Sequence, residues 1–371
     1  MSIDRIEIKP ALPGPVEAGG RAGRPAATAL ARRAAFVAPA LVLFILSLEL
    51  LKRGAAGVRP LLGWFGVDGV AGGLGFGWLM ACVVLSGSPV AAMALALLAS
   101  GTLSTGEAFA MIAGSRLGAS FVVLLVGALD DLWRGRREKR SAYIGVAALV
   151  VTAVVYVPAM ALGYLGLRAG LLEGLRIDGR EQASLLDRTL GPLTSLAAAS
   201  LPPLPLFIFG ALVLLASFKL FDRALPDLQV GGGPVARVGQ VVYRPWFMFA
   251  LGLGVTALTL SVSVSLSLLV PLAAKGYVRR ENVFPYILGA NITTFIDTLL
   301  AGALVGHPDG VRVVALLMAS VTLLSLPLVF VLPYAFERFV DGIARRATVD
   351  ARALLVFVLL LLLVPAALIV V

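Results

Sequence analysis

Charge is scarce in this 371-residue chain, and cysteine and histidine are almost absent. Charged residues make up 14% and hydrophobic residues 59%, against roughly a quarter and a half in soluble domains, which excludes a water-soluble domain. Cys82 is the only cysteine, so neither an intrachain disulfide nor a thiolate metal cluster can form. His307, next to Pro308, is the only histidine; a histidine metal site is excluded and histidine-dependent hydrolysis is disfavoured. Acidic residues are outnumbered 21 to 31 by Lys and Arg, for a net charge of +10. That excess does not point to nucleic acid, because the basic residues sit in short clusters at the ends of apolar runs without interleaved aromatics, as in a positive-inside bias. No nucleic-acid partner and no bound cofactor is expected. Ahead of Ala34 there is no apolar core of a signal peptide, so residues 1–33, rich in Ala, Gly, Pro and Arg, read as a disordered basic tail on the cytoplasmic side.

What the chain has instead is hydrophobic runs near the 20 residues that cross a bilayer. Hydropathy places spans at 34–51, 106–129, 141–163, 204–222, 283–305, 311–334 and 353–371. Two further apolar stretches, near 75–100 and 246–275, are interrupted by Ser86-Gly87-Ser88-Pro89 and by Ser261-Val262-Ser263-Val264-Ser265. If each enters and leaves the membrane on one side, the basic clusters Arg134 to Arg140, Lys275 to Arg280, and Arg345, Arg346 and Arg352 all become cytoplasmic, and the charge-balanced loop 164–203 is external. Lys52, Arg53 and Arg59 run against this pattern and are assigned to an interfacial helix outside.

Shifted by 175 positions, the chain matches itself. Leu85-Ser86-x-Ser88 falls on Leu260-Ser261-x-Ser263, Gly114 on Gly289, and Leu124-Leu125-x-Gly127-Ala128-Leu129 on Leu299-Leu300-x-Gly302-Ala303-Leu304. Each unit is span, linker, broken hairpin, span. The single unpaired span 141–163 between them makes the second unit enter the membrane from the opposite side. The expected fold is therefore an all-α polytopic membrane protein with two inverted repeats, about 34–130 and 204–305, re-entrant hairpins in each, and extra spans at 141–163, 311–334 and 353–371 in a single transmembrane domain, 34–371. Inverted repeats with matched helix breaks are the mark of secondary transporters.

Backbone freed by a break survives in hydrocarbon only where it lines a cavity or binds something. Ser86, Ser88, Ser261, Ser263 and Ser265 are therefore candidate site residues, since hydroxyl and carbonyl oxygens suit a hard cation such as Na⁺ and half-helix N-termini suit an anion. As isolated serines they would read as helix-packing residues; it is the duplication that argues otherwise. Asn291, Thr293 and Thr294 follow Gly289 in a run that weakens its helix. Arg116 and Asp297 are ionisable groups inside spans, which face a cavity or a partner; a structural ion pair is the alternative role. Glu49 and Lys219, near span ends, read as interfacial anchors. Gly72-Gly73-Leu74-Gly75-Phe76-Gly77 lacks the preceding strand of a dinucleotide loop and reads as a flexible approach to the first hairpin.

Leu260-Ser261-Val262-Ser263-Val264-Ser265, then Leu288-Gly289-Ala290-Asn291-Ile292-Thr293-Thr294, with Leu85-Ser86-Gly87-Ser88 and Gly114-Ser115-Arg116-Leu117-Gly118-Ala119-Ser120 in the first half, resemble the paired motifs of the sodium/phosphate cotransporter family. Leu43 to Leu51 also resembles that family's first span. The resemblance covers roughly 40–130 and 205–305. It implies Na⁺-coupled symport of inorganic phosphate or a related small oxyanion across the plasma (inner) membrane, with Ser86, Ser88, Arg116, Ser120, Ser261, Ser263, Ser265, Asn291, Thr293, Thr294 and Asp297 at the site. Ser261, Ser263, Asn291 and Thr293 are the expected Na⁺ ligands. The chain departs from the family pattern in two ways: the hairpin glutamines are absent, and Arg116 stands where the family carries an asparagine. A guanidinium there takes over the work of one Na⁺ or grips the oxyanion, with Asp297 as its resting partner. The competing expectations are a non-transporting homologue that serves as a membrane interaction partner, and an intramembrane enzyme on lipid-linked substrates. The latter has no nucleophile and base on facing spans.

Overall fold

The computed structural model describes residues 26–133, 140–175, 180–224, 244–262, 264–266, 269 and 280–370. Among them all regular structure is helical, as expected of a chain whose backbone groups must be satisfied within each segment in lipid. The helices are α1 (Ala26–Gly54), α2 (Arg59–Trp64), α3 (Val70–Val84), α4 (Gly87–Ala99), α5 (Thr105–Ala119), α6 (Phe121–Trp133), α7 (Arg140–Arg168), α8 (Arg180–Ser200), α9 (Pro203–Ala224), α10 (Pro245–Thr259), α11 (Arg280–Thr293), α12 (Ile296–Leu304), α13 (Gly310–Phe330), α14 (Pro333–Thr348) and α15 (Ala351–Val370).

Among the described residues, seven segments are long and apolar enough to cross a membrane: Ala35–Gly57, Thr105–Leu129, Ala142–Arg168, Pro203–Arg223, Asn282–Leu304, Gly310–Phe330 and Arg352–Val370. They are the seven that hydropathy places. Differences lie at the edges. α1 begins at Ala26, inside the segment read as a tail, whose residues 1–25 fall outside the described residues. The stretch 164–203 is not all loop but carries α8. The span read as 311–334 stops at Phe330, because Pro333, which has no N–H to continue a helix, starts α14 instead. The basic residues Arg134, Arg136, Arg137, Lys139, Lys275 and Arg279 lie outside the described residues.

The two broken stretches are broken at equivalent places. α3 ends on Leu85 in the left-handed region (φ 57°, ψ 27°), Ser86 is extended, and α4 starts at Gly87. α10 ends on Leu260, also left-handed (φ 50°, ψ 18°), with Ser261 outside the helix. A left-handed conformation costs a residue with a Cβ roughly 1–2 kcal/mol, so neither leucine adopts it by default. Two of the long spans are also interrupted, α5 from α6 at Ser120, and α11 from α12 at Thr294 and Phe295.

Helix pairing repeats in the same register. A Cβ on Gly114 would overlap the Leu74 carbonyl oxygen, and one on Gly289 the Phe249 carbonyl oxygen; Gly77 stands likewise against Met111, and Gly252 against Tyr286. In each pair the second glycine and its neighbour lie 175 positions after the first. These glycines let α3 approach α5, and α10 approach α11, backbone to backbone. The Gly72–Gly77 stretch, read as a flexible approach, is thus a helical packing face. Gly114→Ala and Gly289→Ala are each expected to lower stability by about 1–3 kcal/mol through overpacking. Gly342→Ala, in α14 with open space around it, is expected to raise stability by up to about 1 kcal/mol through helix propensity. Thermal unfolding in detergent compares the three.

Ser104 caps α5 with Glu107 in a capping box, and Glu107 Oε1 also accepts from Gly69 N–H at 3.0 Å, tying the start of α3 to the start of α5. Other contacts tie helix ends together. Arg312 at the start of α13 donates to the carbonyls of Leu167 and Leu171 at the end of α7. Tyr143, near the start of α7, donates to Asp341 on α14 at 2.6 Å. Lys52 pairs with Glu49 and reaches the Val305 carbonyl after α12 at 3.5 Å. Glu49, read as an interfacial anchor, is instead buried in that pair.

Candidate functional site

Arg116 is the only charged residue in the middle of the span Thr105–Leu129. The guanidinium is buried, and α4, α5 and α12 supply its surroundings. Nη1 donates to Ser88 Oγ at 3.3 Å and to Thr294 Oγ1 at 3.0 Å. Nη2 donates to Thr298 Oγ1, and it lies 3.6 Å from Asp297 Oδ1. The guanidinium carbon stands 5.0 Å from the centroid of the Phe295 ring, within cation–π range. Thr298 in turn donates its O–H to Asp297 Oδ1 at 2.9 Å, so its hydroxyl lies between arginine and carboxylate.

Local backbone explains why these groups meet. Ser88 is in the first turn of α4, which restarts after the Leu85–Ser86 break, and Asp297 and Thr298 are in the first turn of α12, which restarts after Thr294 and Phe295. Two helix N-termini, each a positive dipole end, therefore flank the guanidinium. Asp297 is the only negative charge the described contacts give to Arg116. Both members keep an unused atom: Arg116 Nε and Asp297 Oδ2 are buried without a hydrogen-bond partner.

A second set of polar groups adjoins the first. Ser120 Oγ and Asn291 Nδ2 both donate to Thr152 Oγ1 on α7, at 3.1 and 3.2 Å. Tyr156, one turn further along α7, donates to the Asn291 carbonyl at 2.9 Å and stacks on Phe295 with centroids 6.0 Å apart. Phe295 thus touches both sets. The unpaired span holds the ends of α5 and α11 together through these hydroxyls.

Of the residues expected from the sequence, Ser88, Arg116, Thr294 and Asp297 converge directly, and Ser120 and Asn291 join through Thr152. Ser86 lies half-buried at the start of α4, with no side-chain cap bond. Thr293 turns back on the Gly289 carbonyl at 3.5 Å. Ser261 Oγ accepts from Val264 N–H at 3.3 Å. Ser265 meets Thr256 at 2.7 Å and the Tyr286 hydroxyl at 2.8 Å, within the second broken stretch. Ser263 lies outside the described residues. The sequence reading did not include Thr152, Tyr156, Phe295 and Thr298. The spacing of Asn291, Thr294 and Thr298 on one helix face, and of Thr152 and Tyr156 on another, was the available signal.

The described residues hold no group of three or more His, Cys, Asp or Glu side chains placed to bind a metal ion. The site's chemistry is that of a buried guanidinium, neutral hydroxyls, one amide and one carboxylate. No protein-family model matches this chain, and neither the curated proteins nor the solved structures searched gave a match.

Proposed function

We propose that the chain is a secondary transporter, a Na⁺-coupled symporter of inorganic phosphate or a related small oxyanion. It works by alternating access around two re-entrant hairpins related by an inverted repeat. The observation that carries this reading is the Arg116 cluster: a buried guanidinium between two helix N-termini, reached by residues of both repeat units. Such an arrangement favours an anion with several oxygens, since a guanidinium fork is all donors and helix N-termini are positive dipole ends.

Several features support the inverted-repeat architecture. Left-handed Leu85 and Leu260, the interrupted spans and the close-approach glycines recur at one offset of 175 positions. Because Glu107 ties the starts of α3 and α5 together, the segment between them returns to the level at which it began, as a re-entrant hairpin must. The paired helix ends agree with the proposed alternation of sides, since each contact joins ends assigned to one side, and the basic clusters assign the N-terminus to the cytoplasm. On this reading Ser195→Cys is labelled by an impermeant thiol reagent from outside and Arg346→Cys only from the cytoplasm, in a Cys82→Ser background. Labelling of both from one face contradicts the topology.

Na⁺ is cargo here. Ser261, Ser263, Asn291 and Thr293 are its proposed ligands, through hydroxyl, amide and carbonyl oxygens near the broken helices. The test is uptake of labelled phosphate into proteoliposomes with and without an inward Na⁺ gradient. The reading predicts accumulation that needs the gradient; no uptake of phosphate, arsenate or sulfate would leave the non-transporting homologue as the better account.

A further inference from the structure

The Arg116–Asp297 contact is an incomplete ion pair. Charge-assisted hydrogen bonds run at about 2.7–2.9 Å, whereas Nη2 and Oδ1 stand 3.6 Å apart with the Thr298 hydroxyl bonded to both. The edge of the guanidinium formed by Nε and Nη2, which grips two oxygens at once, is not filled, because Nε has no partner. On the other side Asp297 Oδ2 is equally bare and equally buried. This geometry holds a carboxylate in place without committing the arginine's fork to it.

From these contacts, and resting on the oxyanion reading above, we infer that Asp297 is a proton-binding site coupled to the oxyanion, so that each anion seated on the Arg116 fork brings a proton onto Asp297. The reasoning is electrostatic. An oxyanion on the Nε–Nη2 edge takes the counter-ion that the carboxylate now shares, and leaves two anionic groups adjacent in a buried site. Two such groups cannot both stay ionised. The oxyanion is held by the fork and the helix N-termini, so the proton goes to Asp297, whose free Oδ2 can carry it. The proton is drawn from the aqueous face to which the site is open and is released with the anion on the other face. Among the described residues, Arg116 and Tyr156 are the titratable groups near Asp297, α4 contains none, and α13 contains only Arg312 at its far start, engaged with Asp309 and Glu173. The proton adds to, and does not replace, the Na⁺ of the proposed symport.

Infrared difference spectroscopy of the full chain in lipid, with and without inorganic phosphate, reads both events in one spectrum. The P–O bands of bound phosphate report binding, and the C=O stretch of a protonated carboxyl reports the proton. The expected result is both sets of bands, with the carboxyl band lost in Asp297→Asn and displaced in Asp297→Glu. If Asp297→Asn does not fold, the displacement in Asp297→Glu alone makes the assignment. Phosphate bands without a carboxyl band, or a carboxyl band unmoved by either substitution, overturn the proton site and leave the oxyanion reading standing. Absence of the phosphate bands overturns the oxyanion reading, and the proton site with it.

Discussion

Arg116→Asn is expected to abolish the proposed oxyanion transport and to lower the stability of the protein by about 3–5 kcal/mol, the cost of stranding a buried carboxylate. Among the described residues the side chain supplies the only charged donor to the cluster, bonded to Ser88, Thr294 and Thr298, and its removal takes from Asp297 the counter-ion it has there. The double variant Arg116→Asn, Asp297→Asn is expected to recover most of that stability, because no charge then remains buried, but none of the transport. Arg116→Lys keeps the charge and loses the planar fork, so it is expected to weaken oxyanion binding about tenfold or more. Unfolding in detergent and uptake in proteoliposomes separate the two effects. A double variant that transports normally would make the arginine a structural element only.

Thr152→Val is the second substitution with a large expected effect. The valine keeps the shape of the threonine but leaves Ser120 Oγ and Asn291 Nδ2 each without an acceptor in a buried setting. A stranded buried donor costs about 1–3 kcal/mol. The change also frees the ends of α5 and α11 from the span between them, so affinity for both phosphate and Na⁺ is expected to fall together. Thr152→Ser restores the acceptor and is expected to restore both affinities. Equal behaviour of the valine and serine variants in binding and unfolding would show that the bridge carries no weight.

The seven spans were legible because lipid demands about 20 apolar residues in a helix, and that demand is written in composition alone. The breaks at Leu85–Ser86 and Leu260–Ser261 were legible because they are duplicated. Within the candidate site the outcome divides by the same rule. Arg116 and Asp297 stood out as charges in apolar runs, and their contact follows from the helices that the breaks create. Thr152 and Tyr156 lie on α7, a span that the internal sequence match leaves out, so no duplication marked them, and two hydroxyls in an apolar helix read as packing. Thr298 and Phe295 adjoin residues that were recognised, but which face of α12 meets Arg116 is set by the interruption at Thr294 and Phe295, a tertiary detail that hydropathy does not carry. Glu49 was misplaced for a related reason: near a span end it looks interfacial, yet Lys52 one turn later neutralises it inside the protein.

Counterflow tests the central claim most directly. Proteoliposomes are loaded with unlabelled phosphate and diluted into a trace of labelled phosphate, with Na⁺ and pH equal on both sides. A carrier that exposes one site alternately to each face exchanges internal phosphate for external label. The account predicts that label rises transiently above its external concentration and then declines as the internal pool runs down, and that Arg116→Asn shows no rise. Label that only equalises across the membrane would reveal a pore, and label that never enters would contradict transport altogether.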